Sequence, residues 1–177
     1  MKFISFNHDN SEKFGIIENN LITDLTGKID GASSLKELIK IKKIKEAKEY
    51  AKSNPGSIKP DQIEYSPLIP NPGKIICVGL NYSEHVKETN RTVEENPVIF
   101  HRFPESQTAH MQAIQRPTVS ESLDFEGEMA VVMDEGGKHI KPEDALKHIV
   151  GFSCYNESTI REWQRHTRQF GMGKNFE

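Results

Sequence analysis

The chain has 177 residues, 35% hydrophobic and 28% charged, with a formal net charge of −3. That suits one ordinary domain, or a small module with part of a larger one; it is too apolar for disorder and lacks the basic excess that nucleic acid would call for. No apolar run approaches the roughly 20 residues of a membrane span, and the opening turns polar too soon for a secretory signal, so a soluble, cytoplasmic protein with no membrane partner is expected. Cys77 and Cys154 form no CxxC pair and lie in apolar, strand-like runs, which predicts buried free thiols.

Residues 2–6, 14–17 and 21–23 read as short strands, the last two joined by the Glu18-Asn19-Asn20 turn. Ser34 and Glu37 have capping-box spacing, and Leu35, Leu38, Ile39, Ile41, Ile44, Ala47 and Ala51 follow on one face of an amphipathic helix ending near Asn54-Pro55-Gly56. Its lysines (Lys36, Lys40, Lys43, Lys48, Lys52) make a solvated opposite face. Residues 1–65 read as a small N-terminal module, and the proline-rich stretch 66–73 as a linker.

Beyond it, residues 74–80 form a continuously apolar strand, the pattern of one buried on both faces. A helical stretch over 81–89 sets His85 beside Glu88, the spacing of a general base and its orienting carboxylate, although a surface pair has the same spacing. A strand over 97–100 and a loop over 103–113 follow. Residues 123–133 alternate at period two, so Glu126 and Glu128 point the same way along one predicted strand. Residues 134–137 form a turn, a short helix starts at 141, and a strand over 149–155 delivers Asn156 and Glu157 ahead of a helical segment over 158–169.

Glu126, Glu128 and Glu157 make a three-carboxylate cup suited to a hard divalent cation, which prefers oxygen ligands. The alternative is that Glu157 caps the next helix while Glu126 and Glu128 face solvent. No GxGxxG, P-loop or GxSxG occurs, so dinucleotide, phosphoryl-transfer and serine-hydrolase readings lack their motifs.

Four blocks stand in order: Val78-Gly79-Leu80-Asn81-Tyr82-x-x-His85-x-x-Glu88; Leu123-Asp124-Phe125-Glu126-x-Glu128; Gly151-Phe152 with Asn156-Glu157-x-x-x-Arg161-x-x-Gln164; and Gly173-Lys174-Asn175-Phe176. Together they resemble the fumarylacetoacetate hydrolase family, over residues 74–177. The resemblance implies an α+β chain whose catalytic domain is a β-rich roll, preceded by the small α/β module. It implies Mg²⁺ or Mn²⁺ held by Glu126, Glu128 and Glu157, with His85 and Glu88 moving a proton and Lys174 stabilising negative charge. Gln164 and Arg102 would contact a small 2-oxo acid substrate.

The implied chemistry is hydrolysis of an acylpyruvate-like C–C bond, or a related decarboxylation or isomerisation. A homodimer is a further expectation carried by the family. At two positions the sequence departs from the family's pattern: Glu157 stands where aspartate is usual, and Arg102 where a lysine often follows the strand. Family members also continue well past the Gly-Lys block, so the chain reads as the N-terminal module with part of the catalytic domain. The alternatives are a non-catalytic remnant of that ancestry or a module that binds a 2-oxo acid without transforming it.

Overall fold

A computed structural model describes residues 1–84 and 95–176; His85 and Glu88 lie outside the described residues. The chain divides into two compact units. Met1–Asn71, Thr108–Ala113 and Gly127–Tyr155 make the first, and Pro72–Gln107, Ile114–Glu126 and Asn156–Glu177 the second.

In the first unit, β1 (Lys2–His8), β2 (Ser11–Glu18) and β3 (Leu21–Asp24) form an antiparallel meander, and β4 (Glu64–Tyr65) pairs with the free edge of β1. Both hairpins close on two residues of positive φ, Asp9-Asn10 (52° and 58°) and Asn19-Asn20 (50° and 61°). That geometry matches the right-handed twist of the flanking strands, and Asn and Asp reach it at small cost.

Helix α1 (Leu35–Lys40) starts where the sequence places its cap, with Ser34 Oγ accepting from the Glu37 amide at 3.2 Å. The predicted long helix is then interrupted. Lys42 turns left-handed (φ 59°), the Lys43 amide donates back to Leu38 O and the Lys42 amide to Ile39 O, and α2 (Ile44–Ser53) begins afresh. These paired bonds satisfy the last carbonyls of α1, a closing motif that usually recruits glycine. Leu35, Leu38, Ile39, Ala47 and Ala51 still face one way, packing on Phe14, Ile16, Leu25 and Ile29 in a closed apolar core.

The predicted strand over 123–133 is two strands. β7 (Leu123–Asp124) pairs antiparallel with β10 (Thr159–Ile160) in the second unit, and β8 (Gly127–Met133) pairs with β9 (Ile149–Asn156), mostly in the first. The chain changes sheets at Phe125-Glu126. On β8 the covered face carries Glu128, Ala130 and Val132, while Met129, Val131 and Met133 are exposed. The glutamate face is therefore the inner one, against the ordinary amphipathic rule. Cys154, predicted buried, lies on the exposed face of β9 beside Phe152, because the strand alternates instead of being covered on both sides.

In the second unit β5 (Ile75–Gly79) pairs antiparallel with β6 (Val98–Arg102). The expectation that both faces of β5 are buried fails: Ile76 and Val78 are exposed with Ile99 of β6, because this two-stranded ribbon is covered on one face only. The predicted helix over 158–169 contracts to α3 (Arg161–Gln164), since residues 159–160 are taken by β10; α4 (Gly171–Lys174) follows. No helix among the described residues is long and apolar enough to cross a membrane.

Candidate functional site

The end of β9 and the short β10 carry Glu157 and Thr159 past Glu126. The Glu157 amide donates to Glu126 O at 2.7 Å, and the Glu126 amide donates to Asn156 Oδ1 at 3.0 Å. These bonds fix the backbones on which the two carboxylates stand, and one oxygen of each lies within 4.8 Å of the other. Thr159 Oγ1, fully buried, donates to Glu126 Oε1 at 2.6 Å.

Lys174 reaches the same place from α4. Its ammonium lies 3.1 Å from each oxygen of Glu126 and 2.9 Å from Glu157 Oε2, and its side chain is 2% exposed. The Phe100 ring, stacked edge-on with Phe170, sits beneath the ammonium at 5.0 Å and shields it from water. Gly173 makes the approach possible, because a Cβ there would overlap the Gln164 amide and the Ile160 carbonyl oxygen.

Two guanidinium groups complete the arrangement. Arg161 Nη1 pairs with Glu126 Oε1 at 2.7 Å and donates to Gln164 Oε1 at 3.1 Å, while its Nε pairs with Asp124 at 2.8 Å. Arg102, expected to contact substrate, is 7% exposed; its Nη1 lies 3.2 Å from Glu157 Oε1 and 3.0 Å from the Ser158 carbonyl oxygen. The sequence alone gives Thr159 no role and carries Arg161 only as a member of the third block. The i, i+3 spacing of Arg161 and Gln164 was a legible sign that they share a helix face; nothing marked Thr159.

Burial pushes the Glu157 carboxyl above its ordinary value; the Lys174 hydrogen bond and charge oppose this, Glu126 adds to it, and Arg102 opposes it. Arg161 holds the Asp124 carboxyl below its ordinary value, chiefly through their hydrogen bond. Two adjacent cations thus fail to offset the burial of Glu157. Glu126 and Glu157 are hard oxygen donors with one oxygen of each within 4.8 Å of the other, which fits a divalent cation.

Glu128 stands two residues beyond Glu126, half-buried on β8 in the first unit. The described residues therefore bring Glu126, Glu157, Lys174, Arg102 and Gln164 into one bonded group within the second unit.

Residues 74–177 match the fumarylacetoacetate (FAA) hydrolase C-terminal family. An oxaloacetate tautomerase, Fahd2a, from Rattus norvegicus mitochondria is 39% identical over 117 residues, 66% of this chain and 37% of that protein. A fumarylacetoacetate hydrolase from Exiguobacterium antarcticum superposes with a TM-score of 0.83 at 29% identity, covering 100% of this chain and 62% of that one. A maleylpyruvate hydrolase from Sphingobium sp. SYK-6, solved with manganese(II) ion and pyruvate, shares the fold at a TM-score of 0.76 and 18% identity, over 98% of this chain and 63% of its own. The chain thus spans 37% of the tautomerase and just under two thirds of the two solved structures. The α+β, β-rich fold is the one these solved structures share, and with the family match running from Lys74 through the Gly-Lys block, the chain belongs to the fumarylacetoacetate hydrolase family.

Proposed function

We propose that the chain carries the metal-binding part of an enzyme acting on a small 2-oxo acid through its enol or enolate. The observation that carries this reading is the Glu126–Lys174–Glu157 group, two carboxylates bridged by a buried ammonium. Glu126 and Glu157, with Glu128 two residues along the chain, supply hard oxygen ligands for Mg²⁺ or Mn²⁺. Such a cation, when bound, supplies Lewis-acid stabilisation of negative charge on the 2-oxo oxygen.

This chain's own residues do the rest. Lys174, stripped of water, stabilises negative charge developing on the substrate, and its two carboxylate partners hold it in place. Gln164, oriented by Arg161, offers its amide N–H to the substrate carboxylate. His85, oriented by Glu88, moves the proton at the carbon beside the oxo group. Those steps are shared by keto–enol tautomerisation, C–C hydrolysis and decarboxylation of 2-oxo acids. The identity to an oxaloacetate tautomerase favours the first, with a 2-oxo dicarboxylate as substrate.

The test is the ultraviolet decay of enol-oxaloacetate with and without Mn²⁺, for wild type and Glu126→Gln. Metal-dependent acceleration that the variant lacks supports the proposal, and no acceleration by the wild type overturns it. Thermal stabilisation by oxaloacetate without turnover would instead assign a 2-oxo-acid binding module.

A further inference from the structure

The two departures from the family's pattern meet each other. Arg102 ends β6 and Glu157 follows β9, and the Nη1–Oε1 distance between them is 3.2 Å with both side chains 6% exposed. The same nitrogen reaches the Ser158 carbonyl oxygen at 3.0 Å, so Arg102 grips the backbone and the carboxylate of consecutive residues. Ser106 Oγ stands 3.5 Å from its Nε on the other side. A planar guanidinium can face these three acceptors from a single orientation; an ammonium is a point charge on a shorter reach.

The opposite oxygen, Glu157 Oε2, is held by Lys174 at 2.9 Å. With one oxygen on Arg102 and the other on Lys174, the carboxylate plane is fixed. Glu157 has one more side-chain torsion than an aspartate and therefore more freedom to remove before it can serve as a ligand.

We infer that Arg102 is a positioning residue, length-matched to Glu157: it holds Oε1 so that this carboxylate stands ready for a divalent cation. The inference rests on the cation reading above and deepens it. It sets Arg102 behind a ligand instead of against the substrate.

A double-mutant cycle tests it. Mn²⁺ affinity is measured by calorimetric titration for the wild-type chain, Arg102→Lys, Glu157→Asp and the double variant, each checked by metal-free thermal unfolding. Each single change weakens Mn²⁺ binding by about tenfold or more, the usual effect of losing a residue that orients a ligand. In the double variant Arg102→Lys costs less than about threefold beyond the loss already caused by Glu157→Asp, because the contact it would break is already gone, a non-additivity that a purely structural role does not produce.

Arg102→Lys binding Mn²⁺ as tightly as wild type overturns the inference, as does a double variant showing the full product of the two losses. If Arg102→Lys does not fold, Arg102→Gln takes its place in the cycle: a loss much smaller in the Glu157→Asp background than in the wild-type background supports the pairing, and an equal loss in both refutes it. A wild-type chain that binds no Mn²⁺ removes the cation reading and this inference together, whereas an unaffected Arg102→Lys removes only the inference.

Discussion

Lys174 Nζ lies 2.9 Å from Glu157 Oε2 and 3.1 Å from both oxygens of Glu126, out of contact with water. Exchanging Lys174 for methionine keeps the apolar stem and deletes the charge, leaving the two carboxylates facing each other. The expected loss is about 3–5 kcal/mol of stability near neutral pH, the usual penalty for stranding a buried charge. Near pH 5 the loss is smaller, because a carboxyl takes up a proton in place of the ammonium. Urea unfolding at both pH values measures this, and an equal loss at each would mean that the carboxylates do not depend on Lys174.

Burial raises the Glu157 carboxyl above its ordinary value of 4.5. Between that value and the raised one, the folded chain retains a proton that the unfolded chain has released. Its contribution to stability is therefore fully present below about 4.5 and is lost as pH rises through the raised value. Glu157→Gln removes this slope. Mn²⁺ needs the ionised carboxylate, so its stabilising effect has the opposite sign and grows with pH across the same window. Melting temperature against pH, with and without Mn²⁺, reads both slopes; parallel curves for wild type and variant would take Glu157 out of the site.

Gly173→Ala tests the route by which Lys174 arrives. The added methyl overlaps the Gln164 amide and the Ile160 carbonyl oxygen, so α4 must shift away from α3. A destabilisation of about 1–3 kcal/mol is expected, as for overpacking elsewhere, together with a weaker response to Mn²⁺. Unchanged melting and an unchanged response would mean that the two helices do not approach as closely as described.

Asp24 provides a comparison in the other unit. Its burial raises the carboxyl, but Lys13 at 2.9 Å and the Thr26 amide at 2.8 Å outweigh that and hold it below its ordinary 3.8. The pairing stabilises above about pH 3.8 and fades as pH falls through the lowered value. Asp24→Asn is expected to lose about 0.5–1 kcal/mol at neutral pH, as for a partly exposed pair, with no dependence on Mn²⁺. A shift in Mn²⁺ affinity in this variant would contradict the assignment of the metal ligands.

The sequence displayed its local features well. Asn19-Asn20 announces a tight turn, Ser34 with Glu37 announces a helix start, and Glu126, Glu128 and Glu157 are conspicuous as hard-oxygen donors. It concealed whatever depended on which neighbour a segment acquires. Period-two alternation runs unbroken through Phe125-Glu126, so nothing in the pattern signals that β7 and β8 pair with different strands. The alternation likewise sets Met129 and Val131 on one face and Glu128 on the other without saying which is inward; the glutamate face of β8 is the covered one. The resemblance gives Lys174 a role on negative charge, but its burial follows from the close packing at Gly173, which no periodicity encodes.

The two hairpins of the N-terminal meander bear on the order of folding. Each closes over two residues already in the required conformation, so β1, β2 and β3 find their partners next to them in the chain. Lys174 and Glu126, by contrast, are 48 residues apart, and their bond requires a long loop to close first. The meander is therefore the early element on the folding path and the carboxylate–ammonium group a late one. Pulse-labelled hydrogen exchange should protect the amides of Phe14 and Ile16 well before that of Glu157, and the chemistry of the chain emerges only after its framework has already set.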